Sequence, residues 1–230
     1  METVCQLLAE DGCEVCVCDE DDVTAIPSSP LVLTMGRSNR LLDLLAACEH
    51  EGTLVLNATA GVRLCGRRSL LETRLRQAGV TMPPVYSDGA CWLKRGDTCT
   101  QTADDVVFVP CRAELETARQ RFLQRGISDL VVSSHVEGDV VKFYGVVGTS
   151  FFRAYHADGD RLCERQNQLR AEAERAAHAT GVTVYGGDAV IREDGSLCVI
   201  YFNDWPSFSR CREEAAVAIV NGVRQQMNRQ

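Results

Sequence analysis

The sequence predicts an α/β protein that becomes α+β in its C-terminal part, and three observations carry that prediction. Between positions 31 and 56, an apolar run, Leu31-Val32-Leu33-Thr34, gives way to a helical pattern and then to Thr53-Leu54-Val55-Leu56. Strand–helix–strand alternation of this kind builds a parallel sheet with right-handed crossovers. Between 181 and 212, two β-branched runs, Val182 to Ile191 and Leu197 to Phe202, flank Glu193-Asp194-Gly195-Ser196. Asp-Gly between such runs is a strong hairpin signal, because a type I′ turn needs positive φ at both central residues. Helical patterns on either side enclose that hairpin, and 230 residues suffice for one large core or two small ones.

Taken in order, residues 2–11 read as a helix with Val4, Leu7 and Leu8 on one face, stopped by Gly12. Cys13–Cys18 reads as a strand, and an acidic run with a Pro/Ser loop follows. After the strand at 31–34 a helix runs to about Glu51, with Leu41, Leu42, Leu44 and Leu45 inward. A further helix spans Ser69 to Gln77, and Gly79 to Pro84 breaks the chain. Ala90–Lys94 and Val106–Val109 are strands around a Gly/Thr/Asp-rich loop, and 113–125 is an amphipathic helix. Within 130–146 a strand carries Lys142, Phe151 to Tyr155 makes another strand, and a helix follows from Asn167 to Thr180. The last helix runs from Glu213 to about Met227, which leaves Arg229 in a peripheral tail.

Composition excludes several classes of function. The net charge is −8 with no dense Lys/Arg tract, which argues against nucleic acid and anionic membrane surfaces as partners. No apolar run approaches the ~18 residues of a membrane span. Met-Glu-Thr opens no signal peptide, so a cytoplasmic protein is expected. The twelve cysteines are scattered, several inside predicted strands (Cys16, Cys18, Cys91, Cys198). Cys13-x-x-Cys16-x-Cys18 lacks a second pair at zinc spacing, so reduced, packed thiols are expected.

Chemistry-bearing residues gather at strand ends. With Asp194-Gly195 as a two-residue loop, Asp188 lies opposite Tyr201, and Asn203 lies diagonally beyond on the same face. A carboxylate and an amide so placed can share a hydrated Mg²⁺. The same stretch also reads as a core hairpin with a polar end. Gly36-Arg37-Ser38 offers free N–H groups to an anion at a helix start, although a Ser N-cap is the simpler reading. Lys94 leaves an apolar strand beside a flexible loop, which is what a phosphate grip needs.

The pattern Asp188-x(12)-Tyr201-x-Asn203-x-x-Pro206-Ser207-Phe208 resembles the metal-binding end of the ATP-grasp superfamily. There an Asp precedes an acid-x-Asn-x-x-Pro strand end, so Tyr201 stands where the second carboxylate belongs. The resemblance extends along the chain. Arg68, with Arg67 as fallback, takes the place of a phosphate-binding lysine at a helix head. Lys94 resembles the lysine before the mobile lid. The segment around Ser134, Val136, Glu137 and Asp139 resembles the interdomain hinge, where backbone groups read adenine and an acid holds ribose. Lys142 is similar to a lysine of inositol-phosphate kinases in this superfamily.

The resemblance implies an ATP-grasp fold with a shortened N-terminal parallel-sheet domain (1–84), a lid subdomain (85–135) and a C-terminal subdomain with the metal hairpin (136–230). Such N-terminal domains normally begin with a strand, whereas this chain begins with a helix. The implied cofactors are ATP and Mg²⁺, the latter on Asp188 and Asn203. The implied activity joins a carboxylate to an amine or thiol through an acylphosphate, on an unidentified small-molecule carboxylate or anionic substrate. Arg210 and Arg212, just past the Pro206 turn, would grip that substrate or the γ-phosphate, or else are solvated helix-start residues. A small-molecule kinase and a nucleotide-binding module without catalysis are the alternatives, and a homodimer is compatible with each.

Overall fold

A computed structural model describes residues 1–228, so Arg229 lies outside the described residues. The N-terminal part holds α1 (Glu2–Glu10), β1 (Leu31–Leu33), α2 (Asn39–His50), β2 (Leu54–Leu56), α3 (Thr59–Cys65) and α4 (Arg68–Gln77). The middle holds β3 (Cys91–Arg95), a 3₁₀ turn at Ala103–Asp105, β4 (Val106–Val109), α5 (Arg112–Gln124) and β5 (Leu130–Ser134). The remainder comprises β6 (Asp139–Val146), β7 (Phe152–His156), α6 (Gln166–Thr180), β8 (Val184–Ile191), β9 (Leu197–Asp204) and α7 (Arg212–Met227). β1 and β2 pair in parallel. Strand order is β4-β3-β5 in one antiparallel sheet and β7-β6-β8-β9 in another.

The larger sheet positions everything else. Its one face buries Val141, Phe143, Ala189, Val199 and Phe202 against Leu169, Ala173 and Ala177 of α6. Leu71 and Leu75 of α4 join the same core, so residues before and after position 84 share it. A fully buried side chain such as Phe143 contributes roughly 1.5–3 kcal/mol. Asn57, buried just after β2, ties the N-terminal strands to β8. Its Nδ2 donates to Val184 O at 2.8 Å, and its Oδ1 accepts from Thr183 N and Val184 N at 2.9 and 2.8 Å.

Two expectations need correction, and one helix is added to them. Cys13–Cys18 forms no strand and is mostly exposed, because α1 packs its Val4 and Leu8 on Ala215 and Ile219 of α7 and leaves the run without a partner ladder. α3 adds a helix to those expected, and it contains Gly61. A Cβ there would lie 2.8 Å from Thr180 O, so that glycine lets α3 approach the α6–β8 junction. The hairpin loop has three residues rather than two: Arg192 N donates to Ser196 O at 2.8 Å, with Gly195 left-handed at φ 79°. A bulge after Asp188 leaves Ile200 unpaired and cancels the extra loop residue, so Asp188 still faces Tyr201.

Candidate functional site

β3 forms one wall of a cleft. Its alternation sends Cys91 and Leu93 into the α5 core and Trp92 and Lys94 to the opposite face. Lys94 Nζ donates to Ile200 O at 3.4 Å, where the bulge leaves that residue out of the ladder. Burial, reinforced by the nearby Arg68 guanidinium, pulls the Lys94 ammonium below the ordinary lysine range. Arg68, at the head of α4, donates to Arg95 O at 2.6 Å and to Thr100 Oγ1 at 2.7 Å, and burial lowers it too. These two cations bond to carbonyl and hydroxyl oxygens rather than to carboxylates. A cleft holding them favours an anion.

The loop beyond β3 is braced by Asp105. Its carboxylate accepts from Gln101 N and Thr102 N at 2.9 and 3.1 Å and pairs with Arg125 at 2.5 Å. Burial pushes Asp105 up, but these partners outweigh it and hold it at about 2.

The larger sheet forms the second wall. Register places Lys142, Asp188 and Tyr201 side by side across β6, β8 and β9, with Asn203 two residues further along. Lys142 Nζ lies 2.9 Å from Asp188 Oδ1, and the side chains are 44% and 25% exposed. Burial raises the Tyr201 phenol, which keeps it neutral. Toward the hinge, Val136, Val190 and Cys198 form an apolar floor flanked by Ile200. Gly138 has φ 146°, and a Cβ there would meet Ile191 O at 2.2 Å, so only glycine fits the hinge. Ser134 pairs with Cys91, while Glu137 and Asp139 are exposed. Asp139 Oδ2 lies 3.9 Å from His156 Nδ1.

Of the expected site residues, Arg68 and Lys94 line one small space, Asp188 is close enough to act on the Lys94 charge, and Lys142 pairs with Asp188. The structure does not bring Arg210 there. Arg210 Nη1 donates to His156 O at 2.8 Å and its guanidinium lies 5.8 Å from the Tyr155 ring centroid, bracing β7. Arg212 is exposed at the start of α7. At Gly36-Arg37-Ser38 both readings hold. Ser38 accepts from Leu41 N at 3.3 Å, and the chain's own Glu20 supplies the anion, accepting from Ser38 N at 2.7 Å and Arg37 N at 3.3 Å. Arg37 Nη2 also lies 3.0 Å from Asp204 Oδ1, which burial pushes up in pKa.

Sequence reasoning missed the aromatic lining. Trp92 lies 5.2 Å from Phe108 between ring centroids and donates through Nε1 to His135 Nδ1 at 3.1 Å. Its place two residues before Lys94 on a strand was the available signal. Ser133, opposite Trp92, is buried with a hydroxyl that has no hydrogen-bond partner. The space beside Lys94 and Arg68 is about 30 Å³, room for a water, whereas ligand pockets run to roughly 300–1,000 Å³.

The donor set does not fit a protein-held Mg²⁺. Asp188 is the one carboxylate of its row and is already paired with Lys142. Tyr201 is a neutral phenol, and Asp204 is buried beside Arg37. No group of three His, Cys, Asp or Glu side chains converges among the described residues. No helix among them is long and apolar enough to cross a membrane. All twelve cysteines are free.

A short parallel pair, a three-stranded antiparallel sheet and a four-stranded antiparallel sheet with their helices make up the ATP-grasp fold. The chain superposes on a RimK domain protein ATP-grasp from Sphaerobacter thermophilus with a TM-score of 0.73 at 18% identity, covering 96% of this chain and 94% of that one. D-cycloserine synthetase DcsG gives 0.72 at 20% identity over 99% and 94% of the two chains. The D-alanine-D-alanine ligase from Coxiella burnetii gives 0.64 at 15% identity over 87% and 68%. No protein-family model and no curated protein matches the sequence.

Proposed function

We propose that the chain binds ATP in the cleft and is an ADP-forming ligase. The carboxylate oxygen of a small acid attacks the γ-phosphorus, ADP leaves, and an amine or thiol then displaces phosphate from the acylphosphate. The observation that supports this reading is the pair of cations without carboxylate partners, Arg68 buried and Lys94 half-buried, near the apolar group of Val136, Val190 and Cys198. Cations of that kind neutralise phosphates, and positioning with charge neutralisation is most of the catalytic work in phosphoryl transfer. Val136 and the Ser134 backbone suit a base edge, Ser133 supplies a spare hydroxyl there, and Asp139 and Glu137 are near enough in the chain to serve the ribose.

Transfer to an alcohol, as in a small-molecule kinase, is the second reading. One observation favours it: Lys142 adds a third cation to the cleft. The similarity to a D-alanine-D-alanine ligase and to D-cycloserine synthetase supports ligation over this second reading.

The test has two stages. A ligand at 100 times its Kd stabilises a fold by ~2.7 kcal/mol, a melting shift of roughly 5–10 °C at this size. With ATP and a panel of small acids, hydroxylamine should trap a hydroxamate and leave ADP. A stable phosphorylated alcohol would decide for the kinase. AMP as product would overturn both.

A further inference from the structure

The second wall carries a disagreement between the fold and its side chains. The row across β6, β8 and β9 has a carboxylate, Asp188, where a cation is expected, and the cation it faces belongs to the chain itself. We infer that the Lys142 ammonium occupies the cation position of this cleft, so that the protein holds no divalent metal of its own and binds the triphosphate with or without one. The inference rests on the nucleotide reading above.

Three observations carry it. Lys142 is fixed by register directly across the ladder from Asp188, and its Nζ lies 2.9 Å from Oδ1. No second carboxylate joins the row: Tyr201 holds the next position, and Asp204 turns to Arg37. The charged groups lining the space are Lys94 and Arg68 against Glu72, a surplus of one positive charge, and Asp188 nearby is already paired with Lys142. Such a balance attracts a tetra-anion and repels a free dication. A half-exposed Lys–Asp pair contributes little to stability on its own. Its effect is on selectivity: Asp188 keeps a monovalent partner, and Mg²⁺, which dehydrates reluctantly, finds one occupied carboxylate and one amide.

The experiment needs no turnover. Mn²⁺ binding to the nucleotide-free protein is followed by electron paramagnetic resonance, and ATP affinity is measured by Trp92 fluorescence in EDTA and in Mg²⁺. The wild type should show no protein-bound Mn²⁺, and its two ATP affinities should agree within about threefold, well under the tenfold that 1.4 kcal/mol represents. Lys142→Met frees Asp188, so bound Mn²⁺ should appear and ATP should bind about tenfold tighter with Mg²⁺ than without. Adding Asp188→Asn should remove both effects. Lys142→Gln replaces Lys142→Met if the latter does not fold.

Mn²⁺ bound by wild type and lost in Asp188→Asn would overturn the inference while leaving the nucleotide reading intact. So would ATP binding that disappears in EDTA. ATP bound under neither condition would remove the nucleotide reading, and this inference with it.

Discussion

The β3 wall of the cleft leaves its cations unmatched, with Lys94 and Arg68 bonded to neutral oxygens, whereas the β8 wall matches Lys142 against Asp188 within its own ladder. The difference follows from how each wall is built. Lys94 and Lys142 both lie on inner strands, but the direct cross-strand neighbours of Lys94 are Val106 and Val131, and its Nζ reaches instead across a gap to Ile200 O of the edge strand β9. The direct neighbour of Lys142 on β8 is a carboxylate, Asp188. An unmatched buried cation weakens the fold and awaits an anion, while a matched pair is electrically quiet. An anion in this space would thus meet unmatched cations on the β3 side and a paired one on the β8 side.

Mutations separate the two walls, the largest effect coming from what anchors the second one. Asn57→Ala removes three buried hydrogen bonds to the start of β8 and should cost about 3 kcal/mol. Thermal melts should shift down by roughly 6–12 °C at 2–4 °C per kcal/mol. A shift under ~2 °C would mean that the β8 wall stands without the N-terminal strands.

Lys94→Met should weaken ATP binding by roughly 30–150-fold, the loss of one charge-assisted contact of ~2–3 kcal/mol. The same change should not lower the melting temperature, because burial disfavours the ammonium in the fold. Isothermal titration alongside melts measures both. A destabilised variant with unchanged affinity would make Lys94 a structural residue and erase the contrast between the walls.

Acid should reach the β3 wall through Asp105. Its folded pKa of about 2 lies below the ~3.9 of a free carboxyl, so its contribution is complete above pH ~4 and is lost as pH falls through about 2. Asp105→Asn should be ~1–2 kcal/mol less stable at pH 7 and show less acid sensitivity between pH 4 and 2. Denaturant melts across that range test the sign. Equal acid slopes in the two proteins would rule Asp105 out as the brace of the loop.

The smallest effect is expected at Tyr201. Its ring packs near Arg68 and its hydroxyl makes no hydrogen bond to protein, so Tyr201→Phe should change stability by less than ~0.5 kcal/mol and leave ATP affinity unaltered. Affinity falling tenfold would place the phenol in contact with the ligand and give the β8 wall a role in anion binding.

Local pattern determined much of this molecule. The alternation in β3 put Lys94 on one face and Leu93 on the other, and the runs around Asp194-Gly195 put Asp188 opposite Tyr201. Both follow from the two-residue period of a strand, a property of the chain alone. The hairpin pairing was reached with a loop one residue too short, and the Ile200 bulge restored the register. Bulges answer to neighbours in space, here Lys94 across the cleft, and leave little trace in adjacent residues.

Tertiary structure alone decided the rest. Arg210 reads as a substrate grip from its place after Pro206, yet buried Trp205 and Phe208, at φ 47° and 51°, turn the chain so that it braces the carbonyls of His156 and Ala157. Cys13–Cys18 has strand propensity but no edge to join, because α1 is drawn to α7. Lys142 and Asp188 each read as ligand-binding groups, and only the β6–β8 register, which joins residues 46 apart, makes them partners. Side-chain direction is set within two residues of sequence, whereas charge pairing is set by whichever strand the fold brings alongside.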